Sequence, residues 1–348
     1  MQTFFVLGQR NIPPRILFGF AWHPCPKPWA RQQQNIRYFI CASSEFHPTV
    51  SSPVDPIVFR NEKIFVKRDD RLWLPGNKHR KLFSLMQYMQ TTTFQNKTQR
   101  VVSCGGNQSN AMLALAQLAH RYNAGFTYYT HPMPRWLADN PSGNLGHALQ
   151  LGMTVQEVTG GGFEEATKVA CREAFDRGDL WVPRGGASAT AEMGIQMLAR
   201  EIDDFACANG LDKLCVITPS GTGTTSLYLS KHLQCGTVFT VPCVGDERYL
   251  REQMRTLDAE RAEEVCIIDT ERKYTFAQPH KDLMNMYKEL LDGGIEFDMI
   301  YAPKTWLALF ENRHLFGACT LLYVHSGGVT GNDSQKRRYE WLEKHGRM

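Results

Sequence analysis

The first 44 residues contain no aspartate or glutamate, although Arg10, Arg15, Lys27, Arg31 and Arg37 lie among them. An acid-poor, arginine-bearing leader has the composition of an organelle transit peptide. Pro13-Pro14, Pro24, Pro26 and Pro28 argue against the amphipathic helix that such a peptide uses. Residues 1–50 are therefore expected to be an N-terminal extension outside the fold, with a cytoplasmic location and organelle import as its alternative. Other absences narrow the class. The 10 cysteines include no Cys-x-x-Cys pair and stand singly, several inside apolar runs such as Leu214-Cys215-Val216-Ile217, so they read as reduced core thiols. No apolar run approaches the roughly 20 residues that a bilayer requires, so no membrane partner is expected. A net charge of only +4, with bases and acids interspersed, sets nucleic acid aside. Asp69-Asp70 has no third carboxylate or histidine at ligand spacing, so no metal is expected, and the pair reads as a brace for the loop that follows.

What is present is an ordinary globular balance, 43% hydrophobic and 21% charged over 348 residues, enough for two domains. Within it one lysine stands out. Leu74-Pro75-Gly76-Asn77-Lys78-His79-Arg80-Lys81-Leu82 reads as a turn opening into an amphipathic helix over 78–91. The field of unpaired N–H groups at a helix start, together with the cationic neighbours, is expected to lower the pKa of Lys78. A deprotonated lysine amine is a nucleophile toward aldehydes. Far downstream, the apolar strand Val216-Ile217-Thr218-Pro219 runs into Ser220-Gly221-Thr222-Gly223-Thr224-Thr225 and then a helix. Glycines there let backbone N–H groups converge on an anion, hydroxyls add donors, and the helix start supplies a favourable field. A nucleophilic lysine and a phosphate cup together fit an aldehyde cofactor with a phosphate tail.

Strands and helices alternate through the chain. Strand readings fall at 64–67, 101–104, 126–129, 154–158, 180–183, 238–241 and 321–325, and helices at 111–122, 144–150, 163–177, 189–206 and 281–291. Such a rhythm gives the α/β class, with two doubly wound domains of mostly parallel sheet and ligand sites at the strand carboxyl ends. The turns at 74–78, 105–110, 183–186, 220–225 and 326–328 all fall at such ends.

Lys67-Arg68-Asp69-Asp70, Gly76-Asn77-Lys78-x-Arg80-Lys81-Leu82, Gly105-Gly106-x-Gln108-Ser109-Asn110, the 220–225 cup, Tyr301-x-x-Lys304 and His325-Ser326-Gly327-Gly328 occur in one order. In type and order they resemble the 1-aminocyclopropane-1-carboxylate deaminase and D-cysteine desulfhydrase family, fold type II pyridoxal phosphate enzymes with the tryptophan synthase β-like fold. The resemblance implies a large cofactor domain from 51–84 and 196–348 and a small substrate-closing domain from 85–195. It implies pyridoxal 5'-phosphate as cofactor, a small amino-acid substrate and a homodimer. Lys78 looks like the lysine that joins the cofactor and moves the substrate proton. Asn77 lies beside it, Asn110 would bond the ring hydroxyl, and Ser220, Gly221, Thr222, Gly223, Thr224 and Thr225 would hold the phosphate with Lys81. Ser109 matches a substrate-contacting serine, Tyr301 a ring-stacking tyrosine, and Tyr274 the other active-site tyrosine. Their local alternatives are a helix cap for Ser109 and a core position with a tethered hydroxyl for Tyr274.

Three departures bear on the substrate. Ala302 stands where the deaminases resemble one another in a glutamate, and Ser326 stands where the desulfhydrase side has a hydroxyl. Arg184 precedes Gly185-Gly186, where an uncharged residue is more usual. The first two favour α,β-elimination of a D-cysteine-like substrate to pyruvate, ammonia and sulfide. Ring opening of the cyclopropane acid to 2-oxobutyrate and ammonia, and a catalytically weakened cofactor-binding regulatory paralogue, are the alternatives.

Overall fold

The computed structural model describes residues 51–347 except 92–93 and 95–98; the expected extension over 1–50 lies outside the described residues. Two sheets organise the chain. One has six strands in the order β1-β2-β10-β7-β8-β9: β1 Val54–Phe59, β2 Glu62–Lys67, β7 Leu214–Ser220, β8 Gly236–Pro242, β9 Cys266–Ile267 and β10 Thr320–Val324. The other has four in the order β5-β4-β3-β6: β3 Arg100–Cys104, β4 Gly125–Thr130, β5 Met153–Glu157 and β6 Leu180–Val182. Every pairing is parallel except the β1–β2 hairpin at one edge. Its turn places Arg60 and Asn61 at positive φ.

The central strands are apolar because helices cover both of their faces. All seven residues of β7, LCVITPS, are buried, as are four of the five in β3. Continuous burial of this kind is the mark of a parallel strand sandwiched between helix layers. The small sheet and the helices Phe83–Gln90, Asn110–Arg121 and Gly143–Gln150 share one apolar core. Two further cores lie on the faces of the large sheet, one under the helix Ala302–Glu311 and one under the helices Glu192–Ala208 and Thr224–His232.

Parallel order also fixes where the turns go. Because β2, β10 and β7 are neighbours running the same way, the segments leaving their carboxyl ends emerge side by side. These segments are the lysine turn, the 325–328 turn and the 220–225 cup. By the same reasoning β3 and β6 bring the 105–110 and 183–186 turns together. Among the described residues no helix is long and apolar enough to cross a membrane. Seven described cysteines are free thiols, and Cys171 is not one of them.

Candidate active site

The helix expected over 78–91 is broken. Lys78–Lys81 forms a single turn, Leu82 interrupts it at φ −99° and ψ 10°, and Phe83–Gln90 continues in a new helix. The break lets Lys78 stay at the seam while Leu82, Phe83, Leu85, Met86 and Met89 enter the small sheet's core. Two glycines make the seam possible. Gly76 lies at φ +63°, and a Cβ there would sit 1.6 Å from the Ser326 carbonyl oxygen. Gly327 approaches from the other side, with an added Cβ 2.5 Å from the Gly76 Cα. The Asn77 amide donates to the Ser326 carbonyl at 2.8 Å, stitching the two turns together.

Behind the lysine turn lies a buried ionic cluster. Arg80, 2% exposed, donates to both oxygens of Glu201 at 2.6 and 2.7 Å and to both oxygens of Asp69 at 3.1 and 3.0 Å. Lys67 reaches Glu201 at 2.6 Å. Asp69 is thus the brace its sequence position predicts. Arg80, which the sequence offered as a cation acting on Lys78, is neutralised by these two carboxylates. The depression of Lys78 therefore has another cause. Desolvation by the surrounding protein lowers its pKa from 10.5 to about 8, although the residue keeps a partly accessible surface. Its amine donates to the Asn77 side-chain oxygen. Lys81 is pushed further, by desolvation and then by the nearby Lys78 charge. Neither lysine forms an ion pair with a carboxylate among the described residues.

Asn77 links this group to the cup, its amide donating to Thr225 Oγ1 at 3.2 Å. Lys81 donates to Thr222 Oγ1 at 3.2 Å, and Thr222 and Thr224 share a hydroxyl contact at 3.0 Å. Ser220 plays a different part from the one expected. Its hydroxyl is occupied inside the fold, accepting from Thr240 at 2.7 Å and lying 3.2 Å from that of Ser226. It braces the cup, leaving the threonines as the hydroxyls on offer. The N–H groups of Gly221, Thr222 and Gly223 have no described backbone acceptor, and Gly223, at φ +70°, caps the helix Thr224–His232. Donors without a described backbone acceptor at the start of a nine-residue helix, beside two lysines lacking counter-charges among the described residues, make a setting suited to an anion.

The remaining residues gather around this core. Tyr301 precedes the helix Ala302–Glu311, and a Cβ on Gly221 would lie 3.6 Å from its hydroxyl. Phe276, unnoticed in the sequence, meets the Tyr301 ring edge-on at 5.6 Å between centroids. Ser109 caps the helix Asn110–Arg121, accepting from the amides of Ala111 and Met112 at 3.2 and 3.4 Å. Asn110 accepts from Asn144 at 2.8 Å, and a Cβ on Gly328 would lie 2.2 Å from its side-chain nitrogen. Ser326 Oγ is buried with no hydrogen-bond partner. Tyr274 stands apart from the lysine's contacts: its hydroxyl donates to Asp282 at 3.1 Å, and burial followed by that carboxylate pushes its pKa up to about 12.

Two lysines without counter-charges, a cup of free N–H groups and an orphaned hydroxyl at Ser326 fit an aldehyde-bearing, phosphorylated heterocycle. Comparison with known proteins gives the same answer. The family model for pyridoxal-phosphate dependent enzymes matches residues 53–282. A candidate 1-aminocyclopropane-1-carboxylate deaminase of Thermotoga maritima is 25% identical over 300 residues, covering 79% of this chain and 91% of that protein. A crystal structure described as that of a 1-aminocyclopropane-1-carboxylate deaminase homologue superposes with a TM-score of 0.65 at 18% identity, covering 87% of this chain and 98% of that one. A hydrogen sulfide-producing enzyme of Fusobacterium nucleatum gives a TM-score of 0.60 at 13% identity over 85% and 89%. At such identities the two structures speak for the fold alone, tryptophan synthase β-like and of type II, while the family model carries pyridoxal 5'-phosphate as the cofactor. The chain belongs to the family of pyridoxal-phosphate dependent enzymes.

Proposed function

We propose that the protein is a lyase that eliminates a β-substituent from a small amino acid and deaminates it, with a D-cysteine-like thiol substrate first among candidates. The observation that carries this reading is the pair Ser326 and Ala302. Ser326 offers a buried, unpartnered hydroxyl, and Ala302, fully buried at the head of its helix, offers only a methyl. When bound, the cofactor supplies an electron sink for the substrate's α-carbon. A neutral hydroxyl brings no acid to strengthen that sink, so the chain suits a substrate whose leaving group departs readily, such as a thiolate.

The chain's own residues have separable tasks. Lys78 and Asn77 hold the cofactor at one end, and Lys81, Thr222, Thr224, Thr225 and the 221–223 N–H groups hold its phosphate. Lys78 then takes the proton from the substrate carbon. With an amine pKa near 8, a useful fraction is unprotonated at neutral pH. Ser109 and the N–H groups of its turn receive the substrate carboxylate, and Tyr301 covers the ring face beside Gly221. Ring opening of the cyclopropane acid is the second reading, favoured by the T. maritima relative.

The test is an absorbance spectrum followed by a substrate panel. The purified protein should absorb at about 410–430 nm, and Lys78→Ala should lose the band and all turnover. Sulfide from D-cysteine should then exceed 2-oxobutyrate from the cyclopropane acid. The reverse ranking makes the second reading correct, and a yellow protein inert toward D- and L-amino acids ends both.

A further inference from the structure

Arg184 is a charged group beside the lysine turn and the cup to which the cofactor site described above assigns no part. It follows β6, and its Cγ would lie 3.4 Å from a Cβ on Gly105, beside the turn that carries Ser109. Its guanidinium rests over the Phe163 ring at 5.5 Å and donates to the Tyr249 hydroxyl at 3.0 Å. Phe163 and Gly105 belong with the small sheet, whereas Tyr249 lies on the helix Glu247–Arg255 beside the large one. The neighbouring Gly185 faces the cup, with an added Cβ 3.6 Å from Thr222 Cγ2. The positive charge is felt by the buried hydroxyls of Tyr301 and Tyr128, one from each side of the cleft. Arg184 thus lies between the two sheets, at their carboxyl-end face.

A guanidinium has five N–H donors. Here one described side-chain bond, to a neutral hydroxyl, is made, and no carboxylate lies within ion-pair distance among the described residues. The two buried arginines beside the lysine turn are, by contrast, paired: Arg80 has Asp69 and Glu201, and Arg68 has Asp55 and Asp70. A half-buried guanidinium held in place by an aromatic face and a hydroxyl, with donors to spare, is prepared for an anion. The phosphate already has its cup and Lys81, and the substrate carboxylate has the 105–110 turn. We propose that Arg184 receives an anionic substituent on the β-carbon of the substrate, so that the preferred amino acids carry a negative charge beyond their carboxylate. This rests on the lyase reading above and narrows its substrate class to amino acids whose β-substituent is anionic when bound.

The test compares two substrates with good leaving groups, one anionic and one neutral: serine O-sulfate and β-chloroalanine, each as both enantiomers. Their elimination yields pyruvate, ammonia and either sulfate or chloride. Wild type should favour serine O-sulfate in kcat/KM. Arg184→Met, which keeps the stem on Phe163, should reduce the ratio between the two by roughly 10- to 100-fold, chiefly through KM, as expected for loss of a charged hydrogen bond. Arg184→Lys should recover part of it, and added salt should erode the wild-type preference. A ratio that is the same in wild type and Arg184→Met overturns the proposal and makes the arginine a brace between the sheets. Calorimetric titration with aspartate, which carries an anion but no leaving group, reads the same residue without turnover. Binding weakened in Arg184→Met supports the assignment, and equal binding opposes it. Should the protein lack the cofactor band while this difference persists, the lyase reading has failed and the anion site has not.

Discussion

Lys78 shows how far a motif can be read and where its physics goes astray. Its identity was visible in the run from Gly76 to Leu82, but the reason for its lowered pKa was not. The sequence put four basic side chains together and implied mutual repulsion; the fold pairs Arg80 with two carboxylates and leaves desolvation as the cause. The sign of the resulting pH dependence follows. The folded amine has a pKa near 8 and the unfolded one 10.5, so between those values the unfolded chain holds the extra proton. Stability of the cofactor-free protein therefore rises across that window, and below it the buried charge carries its full penalty, at most about 3 kcal/mol. Lys78→Met is expected to raise the denaturation midpoint at pH 7 by removing that penalty, with the gain shrinking toward pH 10. Thermal denaturation of the cofactor-free variant against wild type at the two pH values measures it. A midpoint that falls, or a gain that does not fade, would contradict a desolvated amine. The same amine should govern cofactor capture, with the uptake rate climbing through pH 8 rather than 10.

At the level of elements, the lysine turn depends on the helix Glu192–Ala208, which lies more than a hundred residues away in sequence. Gly194 lets that helix press against the turn, since a Cβ there would sit 2.1 Å from the Arg80 carbonyl oxygen and 2.8 Å from Phe83 Cβ. Glu201, two turns on, closes the ionic cluster. Gly194→Ala should destabilise the fold by about 1–3 kcal/mol through overpacking and weaken cofactor retention, although the residue touches no part of the anion cup. Glu201→Ala leaves Arg80 and Lys67 short of a partner in a buried site and should lose about 3–5 kcal/mol in urea denaturation. Burial pushes the Asp69 carboxyl up, but Arg80 and Lys67 outweigh it and hold the pKa below 3.8. Its contribution is present above that value and disappears as pH falls through the lower, folded one. None of this long-range pairing was legible. The alternation of strands and helices was, because parallel strands such as β7 announce themselves as apolar runs. The break at Leu82 was hidden, since apolar spacing continues across it. The antiparallel strand β1 was missed, its one exposed face and Pro56 blurring the pattern. The helices Arg135–Asp139, Glu247–Arg255 and Asn332–Lys344 were also unread, being polar or short.

Across the whole molecule, the two sheets meet through the groups that would hold the cofactor. Lys81 lies against the cup of the large sheet and the Gly186 turn that follows β6. Asn110, which opens the helix after β3, lies against Gly328 that follows β10, and Asn144 beside it accepts from Thr330 at 2.7 Å. An anion placed between the uncompensated lysines and the free N–H groups should therefore stabilise both halves together, not the cup alone. Binding to the folded state raises stability as RT ln(1 + [L]/Kd), so inorganic phosphate at a hundred times its Kd should add about 2.7 kcal/mol to the cofactor-free protein. The expected result is one cooperative transition whose midpoint climbs with phosphate, and climbs much less in Lys81→Met. Two transitions, of which phosphate moves only one, would mean that the sheets unfold separately and that the seam transmits little. A midpoint indifferent to phosphate would mean that the 220–225 loop is not an anion site, and the assignment of both lysines would fall with it.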